Sequence, residues 1–231
     1  MTKSWRGLPI VILGIGGFAK EVRWLIHDIN LASNTPVFDL IGYISHSDED
    51  IGIDIEGVKV VASNNNFKGF SEQFGVLGVT IALGNPKWKE AIETEILEGC
   101  ANLVYPNLIH PKANILASNL NDFGVGSIIC AGVSITTNVK FGRFVIANIN
   151  CTIGHDTVIG DYCTINPLAA VSGNINIEKL SLIGAGASII EKTTISENSI
   201  VGLGAIIVKD IEKNSVMICK AAHKLEKKLE N

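Results

Sequence analysis

From Ile129 to Ile207, every sixth residue is apolar. The series runs Ile129, Ile135, Phe141, Ala147, Ile153, Ile159, Ile165, Val171, Ile177, Ile183, Ile189, Ile195, Val201, Ile207. Two residues before each stands a mostly compact side chain: Ser127, Val133, Val139, Val145, Cys151, Thr157, Cys163, Ala169, Ile175, Ser181, Ala187, Thr193, Ser199, Ala205. Neither a helical period of 3.6 nor a strand period of 2 sustains such a rule. A β-solenoid does, because each short strand adds one inward pair and then turns a corner. Glycine follows the large residue at Gly142, Gly154, Gly160, Gly184 and Gly202. The expectation is that these glycines supply the unusual dihedrals of the corners.

The first hundred residues obey a different rule. Ile10–Leu13 reads as a buried strand, Gly14–Ala19 as a turn, and Lys20–Asn30 as a helix with Val22, Leu25 and Ile26 on one face. Further strands are expected at Leu40–Ile44, Val58–Val61, Val79–Leu83 and Asn102–Tyr105, with a second helix at Pro86–Leu97. Alternating strands and helices argue for a small parallel α/β sheet. The organisation expected is an α/β domain over 1–106, a solenoid over 107–219 and a charged tail over 220–231. The tail reads as a solvated cap or a short helix with Leu225 and Leu229 on one side.

Bulk properties exclude several function classes. A chain of 231 residues can bury a full core in two modest domains. Its formal charge of −4 gives no support to a nucleic-acid role. Apolar runs such as Ile10–Leu13 are too short to span a membrane, and no cleavable apolar leader follows Met1, so a cytoplasmic protein is expected. The five cysteines form no CxxC pair, and Cys151 and Cys163 fall on inward positions as packed thiols. His155, His110 and His223 make no recognisable zinc-ligand spacing, so no metal is expected.

Gly14, Gly16 and Ala19 fit a loose G-x-G-x-x-G/A pattern between strand and helix. Such a turn can cradle a phosphate on backbone amides. It can equally be a tight turn with no ligand. A nicotinamide dinucleotide would want an acid at the end of the second strand, where this chain has Ser45 and His46.

The period resembles that of the hexapeptide-repeat acyltransferases. The order of α/β domain, Asn107–Ile115 and solenoid is similar to the sugar acyltransferases that include the bacillosamine-pathway and sialic-acid-type acetyltransferases. The resemblance implies a Rossmann-like domain followed by a left-handed parallel β-helix of triangular section. Eighteen residues per coil would give about 4.3 coils from Ile129 to Ile207, with weaker repeats at Leu108–Ala117 adding a coil. It implies acetyl-coenzyme A as acyl donor and a nucleotide-linked 4-amino sugar as acceptor, in a homotrimer whose subunits share the coenzyme groove.

The strongest local match is Ile153-Gly-His-Asp-Thr-Val-Ile-Gly-Asp161. It makes His155 the catalytic base and Asp156 its acidic neighbour. By the same resemblance, Gly16, Gly17, Phe18, Ser45, His46 and Gly84 form the sugar-nucleotide site. Phe18 stands where the family commonly has histidine, and Ser45 and His46 where it has acids. Thr164, Ala185, Gly202 and Leu203 are placed on the coenzyme groove, and Lys192 and Lys209 are candidates for phosphate charge. Ile218-Cys-Lys-Ala-Ala222 replaces a Gly-x-Pro-Ala-Lys-like segment near the adenine.

The residue chemistry agrees with that implication. A histidine two residues after an inward isoleucine lies near a corner, at the surface, and can accept a proton near neutral pH. An adjacent aspartate can fix its tautomer and favour its charged form. The competing reading is a surface histidine with no task. The expected reaction is direct N-acetylation of a sugar amine, without an acyl-enzyme. O-acetylation, or a noncatalytic solenoid that binds a nucleotide sugar, are the alternatives.

Overall fold

The computed structural model describes residues 5–116 and 121–221. The expectation for Leu225 and Leu229, and His223, lie outside the described residues. The chain opens with β1 (Leu8–Leu13), α1 (Gly17–Leu31), β2 (Phe38–Ser45), β3 (Asp54–Ile55), β4 (Val58–Ser63), α2 (Phe67–Ser71), β5 (Leu77–Ile81) and α3 (Pro86–Ala91). A π-helical segment, Ile92–Leu97, continues α3 and precedes β6 (Leu103–Val104). The sheet order is β3-β4-β2-β1-β5-β6, parallel throughout except for the β3–β4 hairpin.

Central β1 is buried on both faces from Ile10 to Leu13, which is why it reads as a continuous apolar run. Helix α1 buries Ala19, Val22, Leu25 and Ile26 against the sheet. The Val79–Leu83 strand begins and ends two residues earlier than expected. The hairpin strand β3 and the short helix α2 carry no periodic signal long enough to announce them.

Among the described residues from Leu108 onward, the chain winds as a parallel β-helix with faces of seven, six and five strands. Each strand spans two residues and pairs with its equivalent one coil away, as Ile128–Ile129 does with Ile146–Ala147. Leu108–Ile109 and Asn114–Ile115 supply the early coil, and Val216–Met217 extends the first face beyond the hexad series. All fourteen large positions and all fourteen compact ones are buried. Burying an aliphatic side chain contributes roughly 1.5–3 kcal/mol, so the repeated inward pairs dominate the stability of this region.

The corners correct the expectation about glycine. Every sixth residue from Gly126 to Gly204 has positive φ, and most of these residues are not glycine: Asn138, Phe144, Asn150, Asp156, Tyr162, Leu168, Asn174, Leu180, Lys192 and Asn198 are among them. Gly142, Gly154, Gly160, Gly184 and Gly202 have ordinary φ. They are small because the next stretch of chain is close. A Cβ at Gly154 would lie 2.5 Å from the Ser172 carbonyl carbon, and one at Gly184 2.5 Å from that of Gly202.

The two regions are latched together along the corner between the third and first faces. Lys89 is fully buried, and its Nζ donates to the carbonyls of Phe144 (2.9 Å) and Cys163 (3.1 Å) and to Thr164 Oγ1 (2.9 Å). Burial pulls its amine down to about 7. Phe144 and Tyr162 stack with ring planes 3° apart, and Tyr105 meets Phe144 edge-on. Glu93, from the π-helical segment, pairs with Arg143 at 2.5 Å and accepts from the Tyr162 hydroxyl. At the other end His110 Nδ1 accepts from the Lys112 amide, which fixes Nε2 as the donor toward Asp28 at 3.0 Å.

Candidate active site

His155 and Asp156 form the corner between the second and third faces, after the strand Thr152–Ile153 and before Val158–Ile159. Both side chains are exposed. His155 Nδ1 lies 2.8 Å from Asp156 Oδ2, which leaves Nε2 as the free ring nitrogen. Asp156 Oδ1 accepts from Asn138 Nδ2 at 2.6 Å. The hydrogen bonds from Asn138 and His155 hold the Asp156 carboxyl below the usual range. The imidazole lies across the α-carbon of Gly173, one coil on. A Cβ there would sit 2.5 Å from Nε2. Residues from three successive coils therefore hold one exposed imidazole in a defined orientation and tautomer.

A second feature lies at the carboxyl ends of β1 and β2, outside the sheet. It is a cleft of about 620 Å³, lined by Leu13, Gly14, Ile15, Gly16, Ile44, His46, Asn64, Leu83 and, from α3 and the π-helical segment, Trp88, Ala91, Ile92, Glu95 and Ile96. The glycines around it differ. Gly14 has φ +112, where L side chains are strained, and a Cβ there would also press on the Ala82 carbonyl oxygen at 3.1 Å, so the fold favours glycine. A Cβ at Gly16, Gly17 or Gly84 would meet nothing within 4 Å, and none of the three has positive φ. Folding leaves that ground open. Parallel α/β sheets bind ligands in such crevices beyond the strand ends.

The other expected sugar-nucleotide residues divide. His46 is exposed and lines the cleft. Ser45 is buried and its hydroxyl donates to Asp50. Phe18 packs against the core. Asp48, held by Ser63 and by Asn65 at 3.0 Å, sits in the same turn, so acids follow β2 a few residues later than the family pattern places them. Among the described residues no cluster of three or more His, Cys, Asp or Glu is placed to hold a metal ion, and no helix is long and apolar enough to cross a membrane.

Comparison with known proteins bears on this arrangement. No family model matches the chain. WeeI from Acinetobacter baumannii AYE is 30% identical, with a TM-score of 0.76 over 90% of this chain and 95% of that one. The acetyltransferase domain of PglB from Neisseria gonorrhoeae FA1090, solved with acetyl coenzyme A, is 27% identical, with a TM-score of 0.77 over 91% and 95%. The chain belongs to the hexapeptide-repeat sugar acyltransferases. A GDP-perosamine N-acetyltransferase of Escherichia coli O157:H7 is 33% identical over 156 residues, 66% of each chain. The matches to the first curated relatives span 66%, 55% and 42% of their lengths.

Within this family member the expected coenzyme residues do not all sit together. Ala185 and Leu203 stack at the corner between the first and second faces, with Gly202 beside Leu203. Leu203 is exposed, and its carbonyl accepts from the Cys219 thiol of the altered tail segment at 3.0 Å. Thr164 stands apart, on the first face and under α3, with its hydroxyl taken by Lys89. Lys192 lies on the His155 corner and pairs with Glu191. Sequence reasoning missed Trp88, Asn64 and Glu95 at the cleft, and Asn138 and Gly173 at the imidazole. The spacing of Asn138 and Gly173 from Asp156 and His155, eighteen residues, was the available signal.

Proposed function

We propose that this protein is an acetyl-coenzyme A-dependent N-acetyltransferase acting on the 4-amine of a nucleotide-linked amino-deoxy sugar, in cytoplasmic synthesis of a bacterial surface glycan. The exposed His155–Asp156 pair on a family scaffold carries this reading. The sugar amine attacks the thioester carbonyl in a ternary complex. His155 Nε2 takes the amine proton as the C–N bond forms, and Asp156 stabilises the resulting imidazolium. Collapse of the tetrahedral intermediate breaks the C–S bond, and the proton passes to the departing thiolate.

In this reading the cleft of the Rossmann-like domain holds the nucleotide, with Gly16, Gly17 and Gly84 allowing close approach of phosphate and Trp88 offering a stacking face. Gly202 and Leu203 belong to the coenzyme groove. They lie on a different corner from His155. A homotrimer that sets one subunit's His155 corner against the next subunit's Leu203 corner would bring donor and base together.

The test is coenzyme A release with GDP-, UDP- and dTDP-linked 4-amino sugars, a 4-hydroxy counterpart, and His155→Ala in parallel. GDP-linked perosamine enters the panel first because the Escherichia coli relative carries that name. Turnover of a 4-amino sugar is expected, with kcat reduced roughly 10²–10⁴-fold in His155→Ala. Turnover of only the 4-hydroxy sugar would replace N- with O-acetylation, and undiminished turnover in the variant would remove His155 as the base. Trp88→Ala should raise KM for the nucleotide sugar about tenfold and leave KM for acetyl-coenzyme A unchanged, since aromatic stacking on a base is worth ~1–3 kcal/mol.

A further inference from the structure

The carboxylate of Asp156 has two oxygens, and both are engaged. Oδ2 faces His155, and Oδ1 accepts from the amide of Asn138 on the preceding coil. Asn138 and Asp156 occupy equivalent corner positions, and both have positive φ, 57° and 58°. Asparagine and aspartate tolerate that conformation better than most side chains. A corner ladder of side-chain amides is also used elsewhere, where Asn198 donates to Asn214 at 2.6 Å. That second ladder touches no imidazole. The Asn138 ladder ends on the carboxylate that orients one.

We propose that Asn138 is a positioning residue for the His155 base, acting through Asp156. This rests on the reading of His155 as the base. The amide donor fixes the carboxylate plane, and the carboxylate fixes Nδ1 as the protonated nitrogen. It also favours the carboxylate over the acid, keeping a full negative charge beside the ring as it becomes cationic. Among the described residues the other charges on this corner are Glu191 and Lys192, two coils beyond Asp156 and paired with each other at 3.7 Å, and Lys209 and Asp210, three coils beyond, with Lys140 on the adjoining third face.

Two variants separate this role from a purely structural one. Asn138→Gly removes the donor while permitting positive φ, so the corner keeps its shape. Asn138→Asp keeps the shape but sets a second carboxylate against Asp156, which raises the proton affinity of His155. Asn138→Gly should lower kcat roughly tenfold with both KM values within about twofold. Asn138→Asp should move the acidic limb of the kcat/KM profile up by about one pH unit. The ring-nitrogen NMR signals of His155, assigned by their loss in His155→Ala, should show the same upward move in Asn138→Asp.

Wild-type kcat in Asn138→Gly would overturn the proposal. So would a loss of kcat in Asn138→Gly with an unmoved pH limb in Asn138→Asp, because that pattern is structural. If the wild-type protein acetylates none of the sugars, the functional reading fails separately. The NMR titration then decides for Asn138: an upward move supports the coupling, and an unmoved midpoint overturns it.

Discussion

Two corners of the same solenoid carry equivalent residues with opposite fates. At the corner between the third and first faces, Phe144 and Tyr162 are 1% and 4% exposed, covered by α3, the π-helical segment and Tyr105. At the corner between the second and third faces, His155 and Asp156 stand open. Both corners turn with positive φ at the second residue, at Phe144, Asp156 and Tyr162 alike. The backbone is indifferent to what it displays there. The hexad makes the scaffold, and the corner side chains decide whether a given edge becomes an interface or a site.

The largest expected effects distinguish the two corners by what they change. His155→Ala should cost turnover and leave thermal stability near wild type, since the ring is exposed. Phe144→Asn should do the reverse to stability. Asparagine suits the positive φ, but the change removes a buried aromatic packed on Tyr105 and Tyr162, at a cost of about 3 kcal/mol. Chemical denaturation of both variants checks the contrast. A His155→Ala protein as destabilised as Phe144→Asn would show that the open corner also carries structure.

A smaller effect, dependent on pH, belongs to the latch. Lys89 has an ordinary value of 10.5 and is drawn down to about 7 by burial. Between those values the unfolded chain binds the extra proton, so the stability contributed by Lys89 rises with pH from about 7 to 10.5 and is lost as pH falls through that window. Lys89→Met removes the titrating group but leaves the Phe144 and Cys163 carbonyls without their donor, worth about 1–3 kcal/mol. The stability difference between wild type and Lys89→Met should therefore grow with pH across this window. A difference that stays flat would mean the amine remains charged throughout, sustained by its three acceptors.

The contrast between corners also marks what was legible in the sequence. Inward positions were readable because burial imposes one requirement repeated every six residues, and Ile153 or Ile165 can be placed by counting. The α/β strands were readable from their apolar runs for the same reason. The corners were misread through Gly142, Gly154 and Gly160, since glycine suggests positive φ. Here it answers the close approach of the next coil, while Phe144, Tyr162 and Leu180 take the strained dihedral. The latch was invisible because Lys89 meets Cys163 across 74 residues of chain, and a lysine in an amphipathic helix reads as a solvated charge. His155 was legible because the hexad places it on an edge. Its support from Asn138 needed the coil length as well. Trp88 gave no periodic cue, since only folding brings α3 over the ends of β1 and β2.

The smallest effect bears on a third corner, between the first and second faces. Leu168 has positive φ, like Phe144, yet is 65% exposed. Ile149 and Leu203, at the same corner one coil before and two coils after, are exposed as well. In a lone chain Leu168 is mostly uncovered, so little packing offsets a leucine in the left-handed region. Leu168→Asn should then stabilise the protein by about 0.5–1 kcal/mol, the relief of part of the left-handed penalty. If neighbouring subunits cover this corner, the same change instead buries an amide at an apolar contact and loses the transfer energy of the leucine, so stability falls by ~1–3 kcal/mol and becomes dependent on protein concentration. Denaturation of Leu168→Asn at two concentrations reads both the sign and that dependence. A stabilised variant with no concentration dependence would leave this corner open to solvent and count against a trimer built through it. A destabilised one would make it behave as Phe144 does, with another subunit in the place that α3 takes at the latch.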